Sequence, residues 1–263
     1  MRFISILLFG ICLLPTTLQA QLQYETNLVR DAGNAGGKSE FNRLFKQELI
    51  YPDSSLKAEI GGKVTWGFKI AKDGTLSNFR LITAVNNELN EEALRIIKIM
   101  QWEPINKSGE KWESNMEFSI VFDPKKYPKI CKKRGYTAIA YPYSPVDTSL
   151  IVYEKTDQAP KFKVKDDNLA EFLRDNLKYP KEAAVKNIKG TVIVSFIVEP
   201  SGMVTNIAIQ QHVGGGCSEE AVRLVSLTKW SPGIKDNKAV RTKMKFPVSF
   251  TYEMSSGGMN RGY

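Results

Sequence analysis

"NNELNEEALRIIKIMQWEPI" occupies Asn86 to Ile105, and "GGGCSEEAVRLVSLTKWSPG" occupies Gly214 to Gly233, 128 residues further on without a gap. How this pair is read decides the fold. Either Glu91-Glu92 and Glu219-Glu220 are carboxylate pairs for acid/base chemistry, or they open a helix that the chain builds twice. Adjacent residues diverge by about 100° around a helix, so neighbouring glutamates do not converge on one substrate atom. Behind them Ala93, Ile96, Ile97 and Met100 recur at helical spacing, matched by Ala221, Leu224, Val225 and Thr228. That pattern is a helix with one face on a core. Asn90 and Ser218 stand directly before the glutamates as the expected N-caps, which sets the glutamates at the positive end of the helix dipole. Trp102 and Trp230, each two residues before a proline, read as plugs at the end of a core in preference to binding aromatics.

The same register extends in both directions. It aligns Tyr51-Pro52 with Tyr179-Pro180, Gly62 with Gly190, Phe68 with Phe196, Gly74 with Gly202, Phe118 with Phe246 and Phe122 with Phe250. The chain is two copies of one unit. In the first, Phe41, Leu44, Phe45 and Leu49 share a helical face, and Tyr51-Pro52 stops that helix because a residue before proline disfavours the α region. The strand patterns "GKVTWGFKI" and "TLSNFRLIT" follow, joined through Lys72-Asp73-Gly74, where glycine supplies the positive φ of a tight turn. The second copy has "GTVIVSFIV" and "MVTNIAIQQ" around Pro200-Ser201-Gly202. After the second helix, "ESNMEFSIVF" or "RTKMKFPVSF" closes the unit. The expected fold class is α+β: two tandem α-β-β-α-β domains, each a three-stranded antiparallel sheet packed against two helices.

At 263 residues, 42% hydrophobic and 25% charged, the composition is that of a globular protein with room for two small domains. The start, "MRFISILLFGICLLPTTLQA", has a positive charge at Arg2, an apolar run from Phe3 to Leu14, and Leu18-Gln19-Ala20. This is the layout of a secretory signal peptide cleaved after Ala20. The apolar run is shorter than the roughly 20 residues that a membrane span needs, and Cys12 lacks the small residue before it that a lipoprotein site requires. The expected organisation is a signal peptide at 1–20, a first domain at 36–123, a basic Tyr/Pro linker at 124–160, a second domain at 161–252 and a flexible tail at 253–263. The expected location is the periplasm, with an inner-membrane-anchored form as the alternative if the segment is retained. Cys131 and Cys217 remain after cleavage. Cys217, opposite Leu89 in the repeat, reads as a packed small apolar residue, and a bridge between the two stays open. The formal charge of +9 favours anionic surroundings such as lipid headgroups or acidic partners, or a solvated lysine-rich surface.

With these residues in hand, the chain resembles the C-terminal domain of the TonB energy-transducer family. The second copy carries the resemblance best, through "YPKEA", "KGTVIVSFIVEPSGMVTNIAI", "GGGCSEEAVRLV", "KWSPG" and "FPVSF". The first departs more, with Asn86-Asn87-Glu88 where the second has three glycines and Glu103 in place of Ser231. The resemblance implies a binding module that recognises a short extended segment of outer-membrane TonB-dependent transporters, the TonB box, by adding it to the sheet edge beside the last strand. The corresponding strands are Glu113 to Phe122 and Arg241 to Phe250. In the second, Met244, Phe246, Val248 and Phe250 alternate toward the core. Arg241, Lys243, Lys245, Pro247 and Ser249 therefore face outward or along the edge as the expected partner-binding residues. Pro247 fits an edge strand, or blunts one.

A TonB transducer also has a membrane-spanning N-terminal helix coupled to inner-membrane motor proteins, and a long Pro-rich spacer. Neither is visible here. The expected function is a periplasmic adaptor, with an anchored transducer as the alternative if the N-terminal run is kept. An enzyme is the reading from another class. Against it, His212 is the single histidine, no nucleophile-elbow, phosphate-loop or zinc-helix motif occurs, and no cofactor or metal site is expected. "KKYPKICKKR", Lys125 to Arg134, could be a nucleic-acid patch, but an exported chain rarely meets nucleic acid and a solvated linker is preferred. A homodimer stays open.

Overall fold

The computed structural model describes residues 29–163 and 168–251. The proposed signal peptide and the tail from 253 onward lie outside these residues. Each copy is built from the expected elements in the expected order. In the first these are α1 (Gly37–Glu48), β1 (Gly62–Ile70), β2 (Leu76–Thr83), α2 (Asn87–Ile99) and β3 (Ser114–Phe122). The segment between the copies holds α3 (Tyr127–Arg134) and β4 (Val152–Tyr153). The second copy has α4 (Leu169–Asn176), β5 (Gly190–Val198), β6 (Val204–Gln211), α5 (Cys217–Leu227), β7 (Gly233–Lys235) and β8 (Lys238–Phe250).

The first sheet runs β2-β1-β3, wholly antiparallel. The second has the same core, β6-β5-β8, and is extended by β7 and by β4, which joins β8 in parallel at Arg241 and Thr242. The order follows from the turns. Gly74 (φ 89°) and Gly202 (φ 81°) adopt the left-handed conformation. A Cβ on them would stand 2.5 and 2.3 Å from the carbonyl oxygens of Trp102 and Trp230, so the hairpin and the tryptophan loop close only over glycine.

Each copy has its own core. The helix face Ala93, Ile96, Ile97 and Met100 packs on Val64, Phe68 and Ile120. Ala221, Leu224 and Val225 pack on Val194, Phe196 and Val248. Trp102 and Trp230 are buried in these cores, and each indole N–H has a partner at 2.9 Å, the Ile97 carbonyl and the Thr228 hydroxyl. They are plugs, as their place before proline suggested. Cys131 lies in the first core and Cys217 in the second, both as free thiols. Burial, and then Glu219, push the Cys217 thiol pKa up.

Two local expectations are corrected. Asn90 and Ser218 are not N-caps. The first helix begins at Asn87, four residues earlier than expected, capped by Asn86, whose side chain accepts from Leu89 N. The second is preceded by Gly216 in the left-handed region. Asn90 and Ser218 instead accept the backbone N–H of Val85 and Val213, both at 3.1 Å, and pin the loop that leads into the helix. Short single-turn helices, Asp53–Lys57 and Lys181–Val185, also follow Tyr51-Pro52 and Tyr179-Pro180.

Candidate functional site

The edges of the second sheet define the site. On one side of β8, β5 pairs along the whole stretch from Thr242 to Phe250. On the other, β7 pairs with residues 238–240 and β4 with 241–242. From Lys243 to Phe250 that second side meets no described strand. Unpaired N–H and C=O groups on a strand edge are a template for one more strand.

The five expected partner-binding residues divide. Lys245, Pro247 and Ser249 are exposed along the open stretch, and Lys243 is half-buried with a loose 3.6 Å approach to Glu154. Phe246, Val248 and Phe250 are buried and Met244 packs against the core, as alternation predicts. Arg241 does not face outward. It is 3% exposed and its guanidinium is fully engaged. Nε and Nη2 donate to Glu199 at 2.9 Å each, Nη2 to the Ile99 carbonyl at 2.7 Å, and Nη1 to the Leu150 carbonyl at 3.0 Å. The physical reason is that the first copy and the inter-copy segment cover that end of the strand. Period-2 alternation says which face a residue is on, not what packs over that face.

The first copy also covers the opposite edge of the second sheet, along the first half of β6 from Val204 to Ile207. Asn206 sits at a bulge in the left-handed conformation (φ 54°), which asparagine tolerates. Its side chain accepts from Gln101 N at 2.7 Å and donates to the Ile99 carbonyl at 3.0 Å. Arg43 of α1 donates to the Val204 carbonyl at 3.0 Å. Gly36 lies so close that a Cβ would stand 2.3 Å from the Ile207 carbonyl oxygen. The two copies are thus joined by a buried polar seam, and a cleft of about 200 Å³ beside it is lined by Asp73, Glu103 and Lys111 of the first copy and Ser195, Gln210 and Lys243 of the second. Glu48, buried at the end of α1, feels this seam: burial, and then the Glu199 carboxylate, raise its pKa to about 7.

The seam residues Glu48, Ile99, Glu199 and Asn206 were missed by sequence reasoning. A signal for part of it was present: Arg241 and Glu199 stand where the first copy has Glu113 and Ala71. Two opposite charges appearing together in one copy only mark a pair.

The paired glutamates are also resolved. Glu91 and Glu219 are exposed. Glu92 and Glu220 are buried and accept the N–H of Ile50 at 2.8 Å and of Lys178 at 2.6 Å, just past the ends of α1 and α4. Each holds the arginine three residues on, Arg95 or Arg223, which donates in turn to the carbonyl of Glu48 or Asn176 at 2.6 Å. The unit is a clasp between the two helices of each copy, and the carboxylates do not face one another. His212 is exposed, and among the described residues no three of His, Cys, Asp or Glu gather as a metal-binding group. No described helix is long and apolar enough to cross a membrane.

Comparison with known proteins places both copies. The family described as "Gram-negative bacterial TonB protein C-terminal" matches residues 47–124 and 175–252, one stretch in each copy and together more than half of the chain. The solution structure of the TonB C-terminal domain of Helicobacter pylori is similar at 20% identity over 32% of this chain and 78% of that one. Its TM-score of 0.26 is too low to bear on the fold. No curated protein matches the chain.

Proposed function

Since the chain belongs, through both of its copies, to the TonB C-terminal family and so is a TonB-like protein associated with envelope transport, we propose that it is a periplasmic adaptor that binds and does not catalyse. It takes an extended segment of an outer-membrane TonB-dependent transporter, the TonB box, as an added strand on β8. The observation that carries this reading is the free side of β8 from Lys243 to Phe250 in a sheet whose opposite edge is covered along its first half by the first copy. Main-chain hydrogen bonds supply the affinity of such a complex and side chains the selectivity. Lys243 and Lys245 beside the path favour peptides with acidic flanks.

The test is titration of the full chain with TonB-box peptides, followed by NMR of the backbone amides. Shifts are expected at residues 243–250. Shifts confined to the helices, or none at millimolar peptide, remove the strand-addition reading. Mass spectrometry of the mature protein tests the location: an N-terminus at Gln21 is expected, and retention of the first 20 residues restores the anchored alternative.

A further inference from the structure

The ten residues Lys125 to Arg134 carry six cations and do not take part in the edge described above. They are not a solvated linker. Tyr127 and Cys131 are buried in the first core, and Arg134 donates to the carbonyls of Lys46, Gln47 and Leu49 at 3.2, 3.1 and 2.8 Å, at the end of α1. The helix is therefore held rigidly, with its other side turned to solvent. That side shows Lys125, Lys129, Lys132 and Lys133, all exposed. On the helix surface Lys129 neighbours Lys132 and Lys133, three and four residues on, and Lys125, in the turn just before α3, adds a fourth cation at its start. Lys126 pairs with Asp123 at 3.0 Å, whereas none of the four is in an ion pair with a described carboxylate.

Folding gains little from this arrangement. Lys132 and Lys133 in the last turn suit the negative end of the helix dipole. Lys125 and Lys129 do not: they stand at the positive end, and the first turn holds no acidic residue. Like charges at these spacings also destabilise a helix. An array kept against its own repulsion, on a helix fixed in place by two buried side chains and the Arg134 hydrogen bonds, points to an external anion.

We propose that the solvent face of α3 docks the protein electrostatically on an anionic phospholipid surface. The chemistry favours lipid over nucleic acid. The array is all lysine, compact point charges suited to headgroup phosphates. It has neither the free arginine fork nor the exposed aromatic rings that stack on bases. Tyr127 is buried, and the Tyr136 hydroxyl is bound to the Gln47 carbonyl. Among the lysines Ile130 packs on the first core and only the small Pro128 ring is exposed, so no large apolar side chain is offered to the acyl layer and attachment is by charge. The docking face is distinct from the β8 edge, so the protein can lie on a membrane while a strand is added.

The experiment is co-sedimentation of the full chain with phosphatidylcholine vesicles with and without phosphatidylglycerol. Binding is expected only to the anionic vesicles and is lost on raising salt. Replacing Lys125, Lys129, Lys132 and Lys133 together by Gln should lower binding at least about tenfold, with the melting temperature unchanged or higher because repulsion is relieved. Lys243→Gln with Lys245→Gln should leave it within about twofold. Should the quadruple variant fail to fold, Lys125→Glu with Lys129→Glu, which improves the dipole, should still fold and weaken binding severalfold. The proposal is overturned if neutral and anionic vesicles bind equally, if neither α3 variant loses binding, or if the edge pair loses as much. It is also overturned if duplex DNA displaces the vesicles at equal phosphate.

Discussion

Glu113 and Arg241 hold the same place in the repeat, one at the head of β3's segment and one inside β8, and their surroundings differ completely. Glu113 pairs with Lys69 at 2.5 Å, and both side chains remain substantially exposed. Arg241 pairs with Glu199 in the dark of the seam, against the carbonyls of Ile99 and Leu150. The scaffold around them is shared to the ends of the strands. The difference lies in what covers it: the first copy packs over the second, and nothing in the described chain packs over the first in the same way. Ile99 is 5% exposed while Leu227, its counterpart, is 48% exposed. Positions that agree between the copies maintain the fold; those that differ make the molecule directional, with one sheet edge covered in part and one left open.

The largest expected effect breaks this asymmetry. Arg241→Ala strands the Glu199 carboxylate in the seam and should destabilise the chain by about 3–5 kcal/mol. Glu113→Ala, at an exposed pair, should change stability by ~1 kcal/mol or less. Chemical denaturation of the two variants measures both, and equal effects would mean that the seam is not a buried interface. For the same reason the fragment 161–252 should melt cooperatively, since its core is complete, yet at a lower temperature than the same domain in the full chain.

Next comes pH. Glu48 has a folded pKa near 7, above its ordinary value of 4.5, because burial and the Glu199 charge disfavour its ionised form. Between those two values the folded chain binds more protons than the unfolded one, so stability falls as pH rises through the window and is lower at pH 8 than at pH 5. The full effect is at most about 3 kcal/mol. Glu48→Gln should flatten the dependence in urea melts at the two pH values. A wild-type chain that gains stability over that range contradicts the placement of Glu48 in the seam.

Much of this comparison was legible in the sequence. The strands at 62–70 and 190–198, the helix faces behind the glutamates and the tryptophan plugs follow from periodicity and from the repeat itself. Periodicity reports burial within one unit, and it was right wherever burial arises there. It failed at Arg241, whose burial comes from the other copy, and at Asn90 and Ser218, where a loop amide took the side chain that a helix end would have used. It set Glu219 and Glu220 rightly in the first turn of α5, but Glu91 and Glu92 are the fifth and sixth residues of α2, past the dipole end they were expected to occupy. In both copies the buried glutamate, Glu92 or Glu220, works as the clasp to the preceding helix.

The clasp gives a smaller test, one on which the copies should agree. Glu92→Gln or Glu220→Gln leaves a buried amide and an arginine short of an acceptor, and each should cost about 1–3 kcal/mol. Glu91→Gln and Glu219→Gln, exposed one residue before, should cost less than ~1 kcal/mol. Thermal melts of the four single variants suffice, and a reversed order would assign the stabilisation to the dipole after all.

The smallest effect is the one that separates the two open edges by function. β3 is paired on one side only, like the end of β8, and the residues equivalent to Lys243 and Lys245 are Asn115 and Glu117, the latter 3.4 Å from Arg80. An acidic-flanked peptide should therefore prefer β8, by a charge term of the order of 1 kcal/mol that salt screens. Lys243→Glu with Lys245→Glu should weaken peptide binding severalfold and flatten its salt dependence, since the main-chain bonds persist while the attraction is removed. Glu117→Lys should leave the measured affinity untouched, because that side chain is on the other sheet. Calorimetric titration of the two variants at low and high salt reads both. If Glu117→Lys changes the affinity as much as the double substitution does, the first copy contributes an edge of its own and the division between a covering copy and a binding copy fails.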